Sequence, residues 1–217
     1  MGLTQDIADR LLQIKAVKLN VQEPFTWASG LRSPIYCDNR KILSYPEIRD
    51  EIVSAFVEKA KLFAEAGAIA GVATAGIAWG ALLADRLGLP FVYVRAKPKE
   101  HGLKNLLEGE ISTGTKVLVI EDLVSTGGSS IEAIQALELN GNPVLGLIAI
   151  FQYGFQAAQA KFLEKNISFH TLSDFNTLLE QALHQKYINN TDSENLSKWN
   201  GDPKLWSDNF LLKKANL

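Results

Sequence analysis

The residues best placed to do chemistry stand together in Val117-Leu118-Val119-Ile120-Glu121-Asp122-Leu123-Val124-Ser125-Thr126-Gly127-Gly128-Ser129-Ser130. Four aliphatic residues predict a buried strand, with two adjacent carboxylates at its carboxyl end. A short loop of hydroxyls and glycines follows, and then a helix from Ser129. Glycines let backbone N–H groups approach a ligand, and a helix N-terminus carries partial positive charge, so a phosphate is well held there. Hydroxyls add donors. Paired carboxylates suit sugar hydroxyls, or a hard cation such as Mg²⁺ beside the phosphate. The combination describes a cradle for a ribose 5-phosphate. The loop is not GxxxxGK[ST], and GxGxxG is missing, so neither the P-loop nor the dinucleotide fingerprint applies.

A second group is cationic. Arg95-Ala96-Lys97-Pro98-Lys99-Glu100-His101-Gly102 follows the apolar run Phe91 to Val94 and opens a long polar connection to Lys116. Long loops without secondary structure are usually functional or disordered. Clustered cations suit a leaving group whose negative charge grows as its bond breaks, such as pyrophosphate.

These segments need a frame to hold them. Ser44 and Glu47 have capping-box spacing, and Ile48, Ile52, Val53, Phe56, Ala60 and Phe63 then recur at helical spacing. Apolar runs at Ala68–Ala73, Phe91–Val94, Val117–Ile120, Val144–Ile150 and Ile167–Leu172 predict strands. Helix-length segments at Ile77–Leu87, Ser129–Leu139 and Phe155–Lys165 separate most of them. Continuous apolar strands alternating with helices give an α/β fold, a mostly parallel sheet flanked by helices. Ligands bind such sheets beyond the carboxyl ends of the strands, where both chemical segments fall.

Thr4–Val17 predicts an amphipathic helix. Phe25-Thr26-Trp27 and Ile35-Tyr36-Cys37, punctuated by Pro24, Gly30 and Pro34, predict two short strands in a small cover outside the main sheet. The expected layout is a single domain over 1–217, with an N-terminal hood at about 1–43 and a helical tail at about 173–217. That tail, with Trp199-Asn200-Gly201-Asp202-Pro203 and Leu205-Trp206, is expected to pack on the body.

Composition narrows the function classes. Of 217 residues, 47% are hydrophobic and 21% charged, which is globular usage. A net charge of -2 and a pI near 6.0 argue against a broad nucleic-acid surface. Cys37 is the lone cysteine, which excludes an internal disulfide and a cysteine-rich zinc site. It reads as a small buried hydrophobe, and His170 as structural. The first residues carry neither a basic nor an apolar signal segment, so the expected location is cytoplasmic. Ala66–Ala84 is uncharged and long enough to span a membrane, but its Ala and Gly content fits a buried strand, a turn and a helix better.

The acid–acid–glycine stretch resembles that of the type I phosphoribosyltransferases. The Arg95–Gly102 loop resembles the Arg-x-x-x-Lys-x-His-Gly loop of the orotate phosphoribosyltransferases. Phe25–Asp38 resembles that family's hood over the base, and Gly71–Ile77 its pyrophosphate-side loop. The resemblance runs from about residue 5 to about residue 185. It implies transfer of ribose 5-phosphate from phosphoribosyl pyrophosphate to orotate, yielding orotidine 5-phosphate and pyrophosphate in pyrimidine synthesis. The alternatives are transfer to another base, or a non-catalytic nucleotide sensor on the same fold. The resemblance further implies Mg²⁺ as cofactor, a homodimer with shared active sites, and neither nucleic acid nor membrane as partner.

Carried over residue by residue, Arg95, Lys99 and His101 contact pyrophosphate, the latter two from a mobile loop reaching the neighbouring subunit. Glu121 and Asp122 hold the ribose and Mg²⁺ region, with no direct side-chain ligand to the metal expected and contact through water. Leu123, Val124, Ser125, Thr126, Gly127, Gly128 and Ser129 form the substrate-binding segment, whose Ser125 to Ser129 wrap the 5-phosphate. Ser125 also lies near orotate. Lys99, His101 and Asp122 are the expected catalytic residues. The sequence departs from the better-known spelling at Ala28, Ala75 and Ala96, which stand in place of Lys. Glu121 stands in place of Asp, and Gln152 lies near a position that is often Arg. Arg32 or Lys41 could supply the cation for the orotate carboxylate.

Overall fold

The computed structural model describes residues 2–27, 29–96 and 106–215. Helix α1 (Leu3–Gln13) buries Ile7, Ala8, Leu11 and Leu12 on one face. It ends earlier than the apolar periodicity predicts: Lys15 takes φ 54°, and Val17 belongs to a strand, β1 (Val17–Leu19).

The hood is two separate antiparallel pairs. Strand β2 (Phe25–Thr26) pairs with β3 (Arg32–Ser33), and β1 pairs with β4 (Ile35–Cys37). Two of these strands, β1 and β3, are absent from the sequence reading because they are too short to show a period. A 3-10 turn (Asn39–Ser44) leads into α2 (Pro46–Ala60). The expected capping box does not form. Pro46 occupies the first turn of α2, Tyr45 is the N-cap, and no side chain caps this end.

The main sheet has the order β10-β9-β8-β5-β6-β7. Its strands are β5 (Ala68–Val72), β6 (Phe91–Val94), β7 (Leu107–Glu108), β8 (Val117–Val124), β9 (Val144–Gln152) and β10 (Ser168–Asp174). All neighbours are parallel except β6 and β7. Strand β7 lies in the connection expected to carry no element, and two residues give no sequence signal. The connecting helices are α3 (Gly76–Leu87), α4 (Gly128–Leu139) and α5 (Gln156–Glu164). The tail forms α6 (Phe175–His184), α7 (Asn190–Gly201) and α8 (Pro203–Ala215).

Alternate strand residues serve opposite faces. Ile69, Leu118, Ile120, Ile148, Ile150 and Leu172 pack into the cluster holding α1, α2, α3 and α6. Ala70, Val92, Val119, Leu147 and Ala149 pack into the cluster holding α4 and α5. A sheet covered on both faces explains why its strands read as unbroken apolar runs. Among the described residues no helix is long and apolar enough to cross a membrane, and Ala66–Ala84 divides into β5, a turn and most of α3.

From β5 the chain passes through α3 to β6 on one side, then returns to β8 on the other side. The strand order therefore reverses between β5 and β8, which is where sheets of this kind open a crevice at their carboxyl ends.

Candidate active site

Strand β8 runs past its neighbour β5. The β5 pairing ends at Gly71 with Ile120, whereas β9 continues to pair through Glu121 with Ala149 and Val124 with Gln152. The carboxylates therefore lie within β8 rather than after it, at the level where β5 has already turned into its loop. That loop, Ala73–Ala75, packs tightly here. A Cβ on Gly76 would sit 2.5 Å from the Ile120 carbonyl oxygen and 3.4 Å from the Glu121 Cα, so glycine permits the close approach.

Glu121 is buried and Asp122 half-buried. Glu121 Oε1 accepts the Asp122 backbone N–H at 3.0 Å. Burial, and then the Asp122 charge, push the Glu121 carboxyl well above the usual range. Burial also raises Asp122. A side-chain hydrogen bond from Glu121, the neighbouring Arg40 guanidinium and backbone donors oppose that rise. Glu121 therefore holds the proton of the pair more tightly, and Asp122 carries more of the charge.

The hood braces this pair. Asn39 is fully buried, and its Nδ2 donates to the Asp122 carbonyl at 2.7 Å. Its Oδ1 accepts from Cys37 Sγ at 3.3 Å. Arg40 Nε pairs with Asp38 Oδ1 at 2.7 Å, with the guanidinium also facing Asp122 and Tyr36. Burial and the nearby Asp122 and Asp38 charges push the Cys37 thiol well above its usual range, so it is a protonated structural group and not a nucleophile. Asn39 and Arg40 escaped the sequence reading. Their signal was adjacency to Asp38 at the end of the hood motif.

After β8 the chain turns through Ser125 and Thr126 into α4. Gly127 takes φ 74°, a left-handed conformation that disfavours any side chain. The helix begins at Gly128, one residue before the expected Ser129. Thr126 and Ser129 are exposed at its mouth, and Lys161 Nζ fixes the loop by donating to the Thr126 carbonyl at 3.0 Å. Exposed hydroxyls, loop amides and a helix N-terminus converge on one spot, the arrangement that binds phosphate.

Arg95 lies at the end of β6, its backbone N–H on the Leu106 carbonyl and its guanidinium 3.3 Å from Glu108 Oε1. Lys99, His101 and Ala28 lie outside the described residues. His170 packs edge-on against Phe63 in β10, away from the crevice. Lys41 Nζ donates to the Ile14 and Lys15 carbonyls at 3.1 Å, closing the end of α1. Gln152 Nε2 donates to Thr171 Oγ1 at 3.1 Å.

Beside the loop opens a cleft of about 460 Å³, bounded by Trp27 and Leu31 of the hood, Ser125 and Thr126, Phe155, and the α7–α8 junction with Lys204. The tail packs on the body as its composition predicts. Trp199 is fully buried among Trp27, Tyr153, Phe155 and Phe175. The tail residues Asn200–Lys204 also line the cleft, which the sequence pattern does not signal.

Among the described residues no cluster of three or more acidic, His or Cys side chains gathers to hold a metal. A buried and a half-buried carboxylate in a crevice fit Mg²⁺, which takes one or two carboxylates and completes its shell with water and substrate phosphates.

The profile of the phosphoribosyl transferase domain family matches residues 41–175. The orotate phosphoribosyltransferase of Cytophaga hutchinsonii is 47% identical over 207 residues, covering 95% of this chain and 99% of that protein. That of Phocaeicola vulgatus is 51% identical over 203 residues, covering 92% and 94%. Among solved structures, the orotate phosphoribosyltransferase of Aeropyrum pernix superposes with a TM-score of 0.74 at 29% identity, covering 84% of this chain and 99% of its own. With the crevice, the phosphate loop and the hood arranged as described, and with identity near one half along almost its whole length, the chain belongs to the orotate phosphoribosyltransferase family.

Proposed function

We propose that this chain transfers ribose 5-phosphate from phosphoribosyl pyrophosphate to orotate, with the crevice between β5 and β8 as its catalytic centre. The observation that carries the reading is the Glu121–Asp122 pair at the end of β8, two residues before the Ser125–Ser129 loop and the α4 N-terminus. One end of the site suits a phosphate, and the other suits the ribose between that phosphate and the leaving group.

In this reading the loop amides and the hydroxyls of Ser125, Thr126 and Ser129 hold the 5-phosphate and orient the ribose. Leu123 and Val124 contribute backbone to the same segment. Asp122, the more ionised acid, accepts from the ribose hydroxyls. The bond from ribose C1 to pyrophosphate breaks as the bond to the ring nitrogen of orotate forms, and the proton on that nitrogen passes to the departing pyrophosphate or to solvent. Among the described residues none is placed as a covalent nucleophile, and in this reading the displacement is direct and passes through an oxocarbenium-like state. Glu121 and Asp122 would hold Mg²⁺, which supplies charge neutralisation at the oxygens of the departing pyrophosphate. Arg95, Lys99 and His101 meet the growing charge on that group.

The assay is loss of orotate absorbance with phosphoribosyl pyrophosphate and Mg²⁺, run beside hypoxanthine and uracil. Orotate is consumed fastest if the reading is right, and faster use of either other base overturns it. The reading also includes a homodimer in which Lys99 and His101 act across the interface. Mixing Lys99→Ala with Asp122→Asn, each nearly inactive, and exchanging subunits should restore one intact site per mixed dimer. Activity that stays at the level of the separate variants after confirmed exchange rejects the crossed arrangement.

A further inference from the structure

Orotate differs from an ordinary pyrimidine in carrying a carboxylate, and a site selective for it needs a cation where that group lies. Neither cation that the sequence suggested serves. Lys41 is committed to the carbonyls at the end of α1. Arg32 is not among the residues lining the cleft.

The lining itself contains two charged residues among those described, Asp202 and Lys204. Asp202 is committed, because its Oδ1 accepts the Leu205 N–H at 2.9 Å and caps α8. Lys204 is exposed in the first turn of α8 and makes no hydrogen bond or ion pair with the described residues. Two of the lining side chains are aromatic, which suits contact with a base. Trp27 is held by its Nε1 donating to the Ile35 carbonyl at 3.2 Å, and Phe155 stacks on the buried Tyr153 at 5.3 Å. The phosphate end of the cleft already has donors from the loop and from the α4 N-terminus.

We propose that Lys204 is the specificity-determining residue for the acidic base, its ammonium pairing with the base carboxylate across the cleft. The inference rests on the orotate reading above and extends it to the tail, beyond residues 41–175 matched by the family profile. A base without the carboxylate fits the same walls but leaves Lys204 unpaired, so selectivity comes from one charge-assisted contact.

The test compares two product nucleotides that differ only in the carboxylate, orotidine 5-phosphate and uridine 5-phosphate. Their binding to wild type, Lys204→Met and Lys204→Arg is read by quenching of tryptophan fluorescence. Lys204→Met keeps the apolar stem and removes the charge. It should weaken orotidine 5-phosphate about 10-fold, the low end for a hydrogen bond to a charged group, and leave uridine 5-phosphate unmoved. Lys204→Arg should retain most of the difference. In turnover, Lys204→Met should raise KM for orotate and leave KM for phosphoribosyl pyrophosphate unchanged. Equal weakening of both nucleotides assigns Lys204 to the shared 5-phosphate or to the fold, and overturns the proposal. No change in either overturns it too. If wild type consumes orotate and Lys204→Met is indistinguishable from it, the role of Lys204 falls alone. If wild type does not consume orotate, the function reading falls with it.

Discussion

Glu121 and Asp122 set opposing demands on one another, and pH exposes them. Burial first, then its charged neighbour, raises the Glu121 carboxyl, and burial raises Asp122 in the same direction. Between the ordinary carboxylate range and the raised folded values, the folded chain holds more protons than the unfolded chain. The contribution of this pair to stability without divalent metal is therefore greatest below that window and falls as pH rises through it. Urea midpoints measured from about pH 4 to about pH 8 should show this decline. In Glu121→Gln the decline should be shallower, and an unchanged slope would remove Glu121 as its source. Asn39 acts on the same pair from the hood. Asn39→Ala leaves the Asp122 carbonyl without its buried donor, at a cost of about 1–3 kcal/mol. Because that carbonyl belongs to the acid's own residue, kcat should fall in fully folded protein well below the melting range, with Tm lowered as well. A lower Tm with unaltered kcat would reduce Asn39 to a structural tie. The acids and the loop were legible in the sequence because each residue type carries its own chemistry at consecutive positions. The Asn39 contact was not, since it joins positions 83 residues apart and a carboxamide has no pattern that reveals its partner.

At the scale of elements, the crevice exists because α3 is held hard against β8. Gly71 and Gly76 make that possible. A Cβ on Gly71 would lie 2.6 Å from the Gly76 carbonyl oxygen, and one on Gly76 would lie 2.5 Å from that of Ile120. Both obstacles are backbone, which yields only if the helix moves off the sheet. Gly76→Ala should cost about 1–3 kcal/mol as overpacking does, and should lower activity further by shifting the loop beside Glu121. Urea denaturation with an unchanged m-value, set beside kcat/KM, measures both parts. A variant matching wild type in both would mean that α3 accommodates the methyl group. The main strands were read to within a few residues because burial on both faces makes them continuous apolar runs. Strand β8 outran its reading, since Glu121 and Asp122 broke the apolar run while β9 went on pairing. Strands β1, β3 and β7 are two or three residues each, and pairing partners elsewhere in the chain define them rather than local propensity.

Over the whole molecule, the tail joins the hood to the sheet. Trp199 reaches zero exposure by contacting Trp27 of the hood at 5.7 Å, Tyr153 at 5.5 Å, Phe155 at 5.6 Å and Phe175 at 5.8 Å. Two hydrogen bonds repeat the link, Asn200 Nδ2 to the Tyr153 carbonyl at 2.7 Å and the Arg32 N–H to Ser207 Oγ at 2.9 Å. The composition of the tail revealed that it packs, because two tryptophans beside a Gly-Asp-Pro turn need a surface. It did not reveal where, because the surface is assembled from positions far apart in the chain. The consequence is a coupling between stability and base binding. Trp199→Ala removes a fully buried indole and should cost about 3–5 kcal/mol. Trp27 and Phe155 lose the ring that backs them, and Lys204 loses the fixed end of α7 from which its helix starts. KM for orotate should therefore rise in protein that is still folded at low temperature, while KM for phosphoribosyl pyrophosphate changes little, because the Ser125–Ser129 loop is fixed separately by Lys161. Leu196→Ala is the control. Leu196 is equally buried on α7 but has no ring to pack against Trp27 and Phe155 as Trp199 does, so it should lower stability and leave the two KM values in their original ratio. If Trp199→Ala and Leu196→Ala change that ratio equally, the tail is a stabilising cover and the cleft keeps its shape without it.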